Sequence, residues 1–422
     1  MYALIDGNCF FVSCERAFRP DLKNVPVVVL SSNDGCVVSR SPEAKQLGIK
    51  MSEPYFQIKH LVQSGDLVVF SSNFTLYSDL SRRMMETIAS TVPSISVYSI
   101  DECFASLDGM SNLYETGILI KEKVLRWVGI PTCVGIAPTR TLAKFCNRMA
   151  KEYPTLNGVV VWGDWSEHIQ RRALKSQSVG EIWGIGRQLH KHLNAQGIFT
   201  ALDFYEYDAA TLRRLYGVTV ERTYREMHGT PCSTMADMPE KPKQILRSRS
   251  FGRLITDLES LEAAVSHHTK VAVRQLWEEQ YTASTVSVFV YTNRFRKQDE
   301  QYHARHTTKL AVSTNDWLSI NKAAQNLLHL IFRPGLNYKK CGVELSGINQ
   351  VDKGLQQDFW EENTTHKTLM QTIGDIQHRF GRDSISLGCE LLSNNWGDNH
   401  ELQSDLSLTQ VTNLPVIDKN KT

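Results

Sequence analysis

The 422-residue chain contains no stretch of eighteen or more uncharged apolar residues, so no membrane-spanning helix is expected. Its nine cysteines are odd in number and scattered, without a C-x-x-C pair, and its thirteen histidines include no H-x-x-x-H pair. The usual zinc spacings and a disulfide framework are thereby set aside, and buried thiols in a reducing cytoplasm are expected. The opening residues Met1-Tyr2-Ala3-Leu4-Ile5-Asp6 have no basic stretch and meet an acid at position 6, so they are expected to form a core strand rather than a signal peptide.

Hydrophobic residues make up 41% of the chain. That is enough for sizeable cores in about two to four domains, at roughly 100–200 residues each. The net charge of +2 conceals an asymmetry. Basic and acidic residues number 25 and 25 over residues 1–240, 16 and 9 over 241–350, and 6 and 11 over 351–422. A basic module of that size suits a phosphate backbone, and an acidic tail suits contact with protein.

Strands are expected at 2–6, 25–30, 36–39, 66–70 and 132–137, with a hairpin over 95–108. Helices are expected at 13–18, 43–47, 74–91, 112–128 and 139–151. This mixture gives an α/β module to about residue 165. Residues 166–235 read as short helices, and 236–244, rich in proline and charge, as a linker. Residues 245–350 alternate strands (285–292, 307–313, 341–347) with helices (258–279, 319–332), an α+β pattern. In the tail, 366–380 carries Leu369, Met370, Ile373, Ile376 and Phe380 at helical spacing.

Two acidic clusters carry the chemistry: Asp6, and Asp101-Glu102 inside Tyr98-Ser99-Ile100-Asp101-Glu102-Cys103-Phe104. Both lie in apolar, strand-like runs, where a buried charge must be paired or bind a metal. Converging carboxylates would hold two divalent cations for nucleotidyl or phosphoryl transfer; turn residues or halves of structural ion pairs are the plainer alternative. Adjacent residues of a regular strand point to opposite faces, so Asp101 and Glu102 can serve one site only where the chain turns. Lys45, Lys144 and Lys151 are basic residues able to hold a triphosphate, the last two sharing a helix face.

Beyond this point a resemblance becomes specific. Tyr2-Ala3-Leu4-Ile5-Asp6-Gly7-Asn8-Cys9-Phe10-Phe11-Val12-Ser13-Cys14-Glu15, Pro26 to Leu30, Asn33 to Val38, Glu43 to Lys50 and Tyr98 to Phe104, in that order, resemble the Y-family DNA polymerases, and among them the UmuC-like catalytic subunits of bacterial DNA polymerase V. The likeness runs to about residue 390. It implies a right-hand polymerase: palm with inserted short fingers over 1–165 (fingers about 16–75), helical thumb over 166–235, little finger over 245–350, and a C-terminal tail over 351–422. It implies that Asp6, Asp101 and Glu102 are catalytic and, with the Gly7 carbonyl, hold two Mg²⁺ ions. Asn8, Phe10, Phe11, Lys45 and Lys151 would bind the dNTP, with Phe11 as the steric gate against a ribose 2′-OH. Pro42 stands where several members carry a tyrosine that hydrogen-bonds the triphosphate, so that contact is missing.

Val179 to Arg187, with Gly197-Ile198-Phe199-Thr200 after it, resembles a helix–hairpin–helix. Gly184, Gly186 and Arg187 would bind DNA phosphates there without regard to sequence. Tyr216-Gly217-Val218 reads as a degenerate second hairpin. Arg247 and Arg249 would contact the duplex from the first little-finger strand. Gln356, Phe359 and Trp360 resemble a sliding-clamp-binding pentapeptide. The family further implies primed or damaged DNA, a processed UmuD-type dimer and RecA as partners, and low-fidelity translesion synthesis in SOS mutagenesis. No acidic exonuclease block appears, so proofreading is not expected. The rival readings are a palm-type two-metal cyclase and a non-catalytic DNA-binding scaffold. The downstream DNA-gripping motifs argue against the first, and the intact acids against the second.

Overall fold

The computed structural model describes residues 1–232, 242–350, 364–381, 383–391, 393, 396–397 and 402–404. The chain forms two compact units, Met1–Met238 with Glu401–Thr422, and Pro239–His400. The first unit begins with β1 (Tyr2–Gly7), α1 (Phe10–Arg16), β2 (Val27–Leu30), β3 (Val37–Arg40), α2 (Pro42–Gln46), α3 (Tyr55–Gln63), β4 (Val68–Ser71) and α4 (Phe74–Ala89). It continues with β5 (Ser94–Val97), β6 (Glu102–Ser106), α5 (Leu113–Val128), β7 (Thr132–Ala137), α6 (Arg140–Glu152) and β8 (Val159–Val161). Five short helices follow: α7 (Glu167–Ser176), α8 (Arg187–Ala195), α9 (Ala201–Tyr205), α10 (Ala209–Tyr216) and α11 (Val218–Met227).

β1 lies at the centre of a five-stranded sheet ordered β5-β6-β1-β7-β8, antiparallel except for β7 with β8. Both faces are covered over β1, β6, β7 and β8, which is why these strands read as nearly continuous apolar runs, whereas the edge strand β5 is largely exposed. Ala3 and Ile5 enter a core with Leu80, Met84 and Ile88 of α4 and Ile120 and Val124 of α5. Leu4, on the opposite face, packs with Leu142, Phe145 and Met149 of α6. Each of the larger of these side chains contributes about 1.5–3 kcal/mol on burial. A second, three-stranded sheet, β3-β2-β4, has its own small core of Val28, Leu30, Val37, Ile49 and Ile58.

One glycine fixes how closely α6 lies on the sheet. A Cβ on Gly135 of β7 would stand 2.1 Å from the Asn147 amide nitrogen and 2.3 Å from the Ala143 carbonyl oxygen. From that close seat Asn147 Nδ2 donates to the carbonyls of Leu4 and Cys133, at 3.2 and 2.7 Å. The helix starts at Thr139, whose hydroxyl caps Leu142 N.

The second unit consists of β9 (Gln244–Ile255), α12 (Leu258–Glu278), β10 (Tyr281–Thr292), β11 (His303–Thr314), α13 (Trp317–Ile331), β12 (Tyr338–Gln350) and α14 (Thr364–Phe380). Its antiparallel sheet is ordered β11-β10-β12-β9. Val286, Val288 and Val290 of β10 and Cys341, Val343 and Leu345 of β12 face α12 and α13 in one core, joined by Met370 and Ile373 of α14 and by Trp396. Of the residues at helical spacing over 366–380, Met370 and Ile373 are packed, whereas Leu369 and Phe380 at the margins of that face are exposed. The expected linker falls mostly on residues outside the described ones.

Cys14, Cys103, Cys133, Cys146 and Cys341 are buried thiols, and no described cysteine is in a disulfide. No helix among the described residues is long and apolar enough to cross a membrane.

Candidate active site

The chain reverses between β1 and α1 at Asn8 and Cys9, with Cys9 in the left-handed region at φ 48°. This brings Phe11, on the first turn of α1, to the same cleft as Asp6 at the end of β1. The helix begins at Phe10, three residues earlier than the sequence suggested, because the reversal is that tight. Asp6 is directly opposite Glu102 in the β1–β6 ladder, so their side chains are immediate cross-strand neighbours. Asp101 lies in the hairpin tip between β5 and β6, outside both strands. Ser99 Oγ shapes the tip: it accepts from the backbone N–H of Asp101 and Glu102 (3.2 and 3.1 Å) and donates to Asp101 Oδ1 (2.5 Å). Gly7 N donates to Asp101 O at 2.8 Å, tying the tip to β1. The turn that two adjacent acids need in order to share a site is thus present.

Two lysines of α6, two turns apart, face these acids. Lys144 Nζ is 2.8 Å from Glu102 Oε1, and Lys151 Nζ is 2.5 Å from Asp6 Oδ1. Lys144 also lies 4.6 Å from the Tyr98 ring and 5.5 Å from the Trp183 ring, a cation–π seat. Burial pushes the Asp6 carboxyl up to about 6; Lys151 opposes that shift, while the negative Asp101 and Glu102 add to it. Three carboxylates outnumber two ammonium groups, so the cluster is short of positive charge. Among the described residues no three His, Cys, Asp or Glu side chains are drawn tightly enough together to hold an ion. Each carboxylate is turned to its own partner instead. The donor set nevertheless fits a hard divalent cation: oxygen ligands only, excess negative charge, and one acid that resists ionising until more positive charge arrives.

Asp6, Gly7, Phe10, Phe11, Lys45, Asp101 and Lys151 line a cleft of about 290 Å³, together with Cys9, Val38, Ser39, Arg40 and Met51. Asn8 does not line it; its Nδ2 turns away to Cys133 Sγ at 3.2 Å. Arg40 and Ser39 were missed in the sequence. They sit on β3 just before the Lys45 helix, and strand alternation alone does not say which side faces the cleft. Tyr77 was missed as well. Its buried ring stacks on Phe11 at 4.6 Å and 17°, with Phe74 edge-on to Phe11 at 5.8 Å.

Gly184, at φ +97°, and Gly186 make a tight turn between a single 3-10 turn at Val179–Glu181 and α8, with Arg187 as the first helical residue. A Cβ on Gly186 would meet nothing within 4 Å, so this backbone is open to a ligand. Gly217, at φ +83°, joins α10 directly to α11 as a second tight turn.

In the second unit, Ile245 and Phe251 of β9 face the helices, and by the period of two so do Arg247 and Arg249 between them. Arg247 Nη2 donates to Gln275 Oε1 of α12 at 2.5 Å. The other face of the sheet carries Phe289 stacked on Tyr291 (5.0 Å, 28°), with Arg305 opposite Phe289, Lys309 opposite Thr285, and Lys340 opposite Tyr291. The sequence left these unassigned because their strand periods could not be phased against an unknown helix layer. Gln356, Phe359 and Trp360 lie outside the described residues.

Two family models match the chain: the impB/mucB/samB family over residues 5–148 and its C-terminal domain over 242–359. Protein ImpB of Salmonella typhimurium is 37% identical over 424 residues, covering 99% of each chain. The chain belongs to this family. It is a UmuC-like Y-family DNA polymerase, a low-fidelity, DNA-directed enzyme of translesion synthesis. Protein UmuC of Salmonella typhimurium is 37% identical across 98% of this chain and 99% of its own. DNA polymerase IV of Oceanobacillus iheyensis is 26% identical across 90% of each. In fold, a solved Y-family DNA polymerase chimera of Dbh and Dpo4 superposes with a TM-score of 0.61 at 22% identity, over 83% of this chain and 99% of that one. Polymerases of the Y family depend on divalent metal.

Proposed function

We propose that this polymerase transfers a nucleotidyl group from a dNTP to a primer 3′-OH at the cleft between β1, the β5–β6 hairpin tip and β3. The observation that carries this is the cross-strand pair Asp6–Glu102 with Asp101 at the tip, beside a cleft lined by Phe11 and Lys45. Asp6, Asp101, Glu102 and the Gly7 carbonyl would hold two Mg²⁺ ions. When bound, these ions would lower the pKa of the attacking hydroxyl and neutralise the leaving pyrophosphate. Lys151 and Lys144 balance the acids in the metal-free protein; with cations in the site, Lys151 would be free to join Lys45 and Arg40 in holding the triphosphate. Phe11 presents its ring to the sugar and excludes a 2′-hydroxyl.

Gly184, Gly186 and Arg187 bind backbone phosphate at the start of α8. In the second unit the sheet face away from the helices, with Lys309, Lys340 and Arg305, the last paired with Glu344 at 2.5 Å, is the better DNA surface; Arg247 and Arg249 stiffen the edge strand from the helix side. A relative of this fold has been solved as an insertion ternary complex, which supports DNA and nucleotide as ligands. A processed UmuD-type dimer, RecA and the sliding clamp are the proposed partners in SOS mutagenesis, with Gln356, Phe359 and Trp360 as the clamp contact. A cytoplasmic location follows from those partners.

The test is primer extension on a primed template, with and without a defined lesion, in Mg²⁺ and in EDTA. Asp101→Ala and Glu102→Ala should abolish extension while DNA binding persists. Full activity in either variant would reject the metal assignment.

A further inference from the structure

At the mouth of α4 the described C-terminal residues Leu402–Ser404 return to the first unit and bond to it by side chain and backbone. Ser71 N donates to Leu402 O and Leu402 N donates to Ser71 Oγ, both at 3.0 Å. Asn73, which caps α4 by accepting from Leu76 N at 3.1 Å, donates through Nδ2 to Ser404 O at 3.1 Å and Ser404 Oγ at 3.2 Å. Ser404 Oγ in turn donates to Glu15 Oε1 at 3.2 Å. Tyr77 Oη donates to that same oxygen at 2.8 Å. Glu15 and Tyr77 are both fully buried. Glu15 Oε2 has no hydrogen-bond partner among the described residues, so the two hydroxyls carry the satisfaction of this carboxyl group.

Tyr77 stacks nearly parallel on Phe11, so whatever fixes the plane of Tyr77 fixes the floor on which Phe11 rests. A buried carboxyl group that loses one of two donors recruits water or turns, and the tyrosine hydroxyl bonded to it must follow. The displacement passes to Phe11 by ring contact.

We propose that Ser404 is a positioning residue for sugar selection, acting through Glu15 and Tyr77 on the seat of the Phe11 ring. This rests on the reading of Phe11 as the steric gate. A ring acting by clash discriminates by sub-ångström placement, so small losses of seating admit the larger sugar.

The test uses the full chain and compares kcat/KM for a dNTP with that for the matching rNTP. Phe11→Ala should relax the ratio most. Ser404→Ala and Tyr77→Phe should each relax it by about tenfold, because ribonucleotide kcat/KM rises. Ser404→Thr, which keeps the hydroxyl, should restore most of the ratio. Ser404→Ala combined with Tyr77→Phe should relax it by less than the product of the single effects, as expected for members of one network. If Phe11→Ala relaxes the ratio and Ser404→Ala leaves it at the wild-type value, the gate stands and the role of Ser404 is rejected. If Phe11→Ala leaves the ratio unchanged, the gate reading itself is rejected and this inference with it. An equal fall in dNTP and rNTP use in Ser404→Ala, with a lowered Tm, reduces Ser404 to a fold contact and also rejects it.

Discussion

In the first unit, Lys144 and Lys151 face Glu102, Asp6 and the neighbouring Asp101; in the second, Glu390 faces Lys270 at 2.7 Å and His267 at 3.8 Å. In each the carboxylate is largely buried, but Lys270 is buried with its partner whereas Lys144 and Lys151 reach in from the surface. Their balance differs. Burial raises the Glu390 carboxyl, but hydrogen bonds from His267 and Lys270 outweigh it and hold the group below its ordinary range. Asp6 is pushed the other way, to about 6. Hydrogen bonds from Lys270, His267 and the Leu387 amide satisfy Glu390 and staple α12 to the segment after α14, although Asp383 stands 3.5 Å from the same lysine. A site with acids to spare waits for positive charge. How fully hydrogen bonds satisfy each carboxyl, rather than the presence of an ion pair, separates the proposed metal cluster from the structural one.

Removing one charge from each site should break the comparison most visibly. Asp6→Asn should lower primer extension on the order of a thousandfold or more, while thermal unfolding in EDTA shows no loss of stability. Lys270→Ala should leave a buried carboxylate with only His267 and a backbone amide beside it and cost about 3 kcal/mol of stability. A large stability loss in Asp6→Asn would erase the distinction. Next in size is Gly135→Ala, whose added Cβ must push α6 off the sheet. A loss of about 1–3 kcal/mol is expected, with reduced extension because both active-site lysines ride on that helix. Wild-type values of both would show that α6 can shift freely.

The pH response sharpens the contrast through its sign. The Asp6 proton favours the folded, metal-free state because the folded pKa is the higher one. Its contribution is full below the unfolded value and is lost as pH rises through about 6. Glu390 has a lowered folded pKa, so its contribution is present above the ordinary carboxylate range and is lost as pH falls. In the proposed site Mg²⁺ would displace the Asp6 proton, so apparent Mg²⁺ affinity should weaken as pH drops through about 6. Calorimetric titration of Mg²⁺ between pH 5 and pH 8, a window of roughly the span over which such a group titrates, checks this; a flat profile would refute it. The smallest effect concerns the second unit. Lys309→Ala should reduce the slope of log affinity for DNA against log salt by about 1, and Arg247→Ala should leave it alone. The reverse result would return the DNA surface to the edge strand.

Much of the first unit was legible because its strands are buried on both faces and its turns carry glycine, asparagine and proline. The helix at Phe74 and the hairpin around Asp101 followed from local pattern, and the three acids of the proposed metal site from a long ordered resemblance. What was not legible depends on contacts far apart in sequence. Nothing near Asp6 indicates that Lys151 will neutralise it, and nothing near Phe11 indicates Tyr77. Helix α3, by contrast, had a signal that went unread: Tyr55, Ile58, Leu61 and Val62 recur at helical spacing. Arg247 and Arg249 were placed on a DNA face because charge was visible and strand phase was not. Ile245 and Phe251 in the same strand carried that phase.

The buried thiols have a use beyond packing. Burial raises Cys14, Cys146 and Cys341, and brings Cys103 up to about 12, so none of the four is a ready nucleophile while its surroundings stay closed. Cys14, Cys103 and Cys146 sit in one unit and Cys341 in the other. Alkylation rates at these sites therefore time the opening of each unit separately, giving the polymerase a native pair of clocks that needs no engineered label.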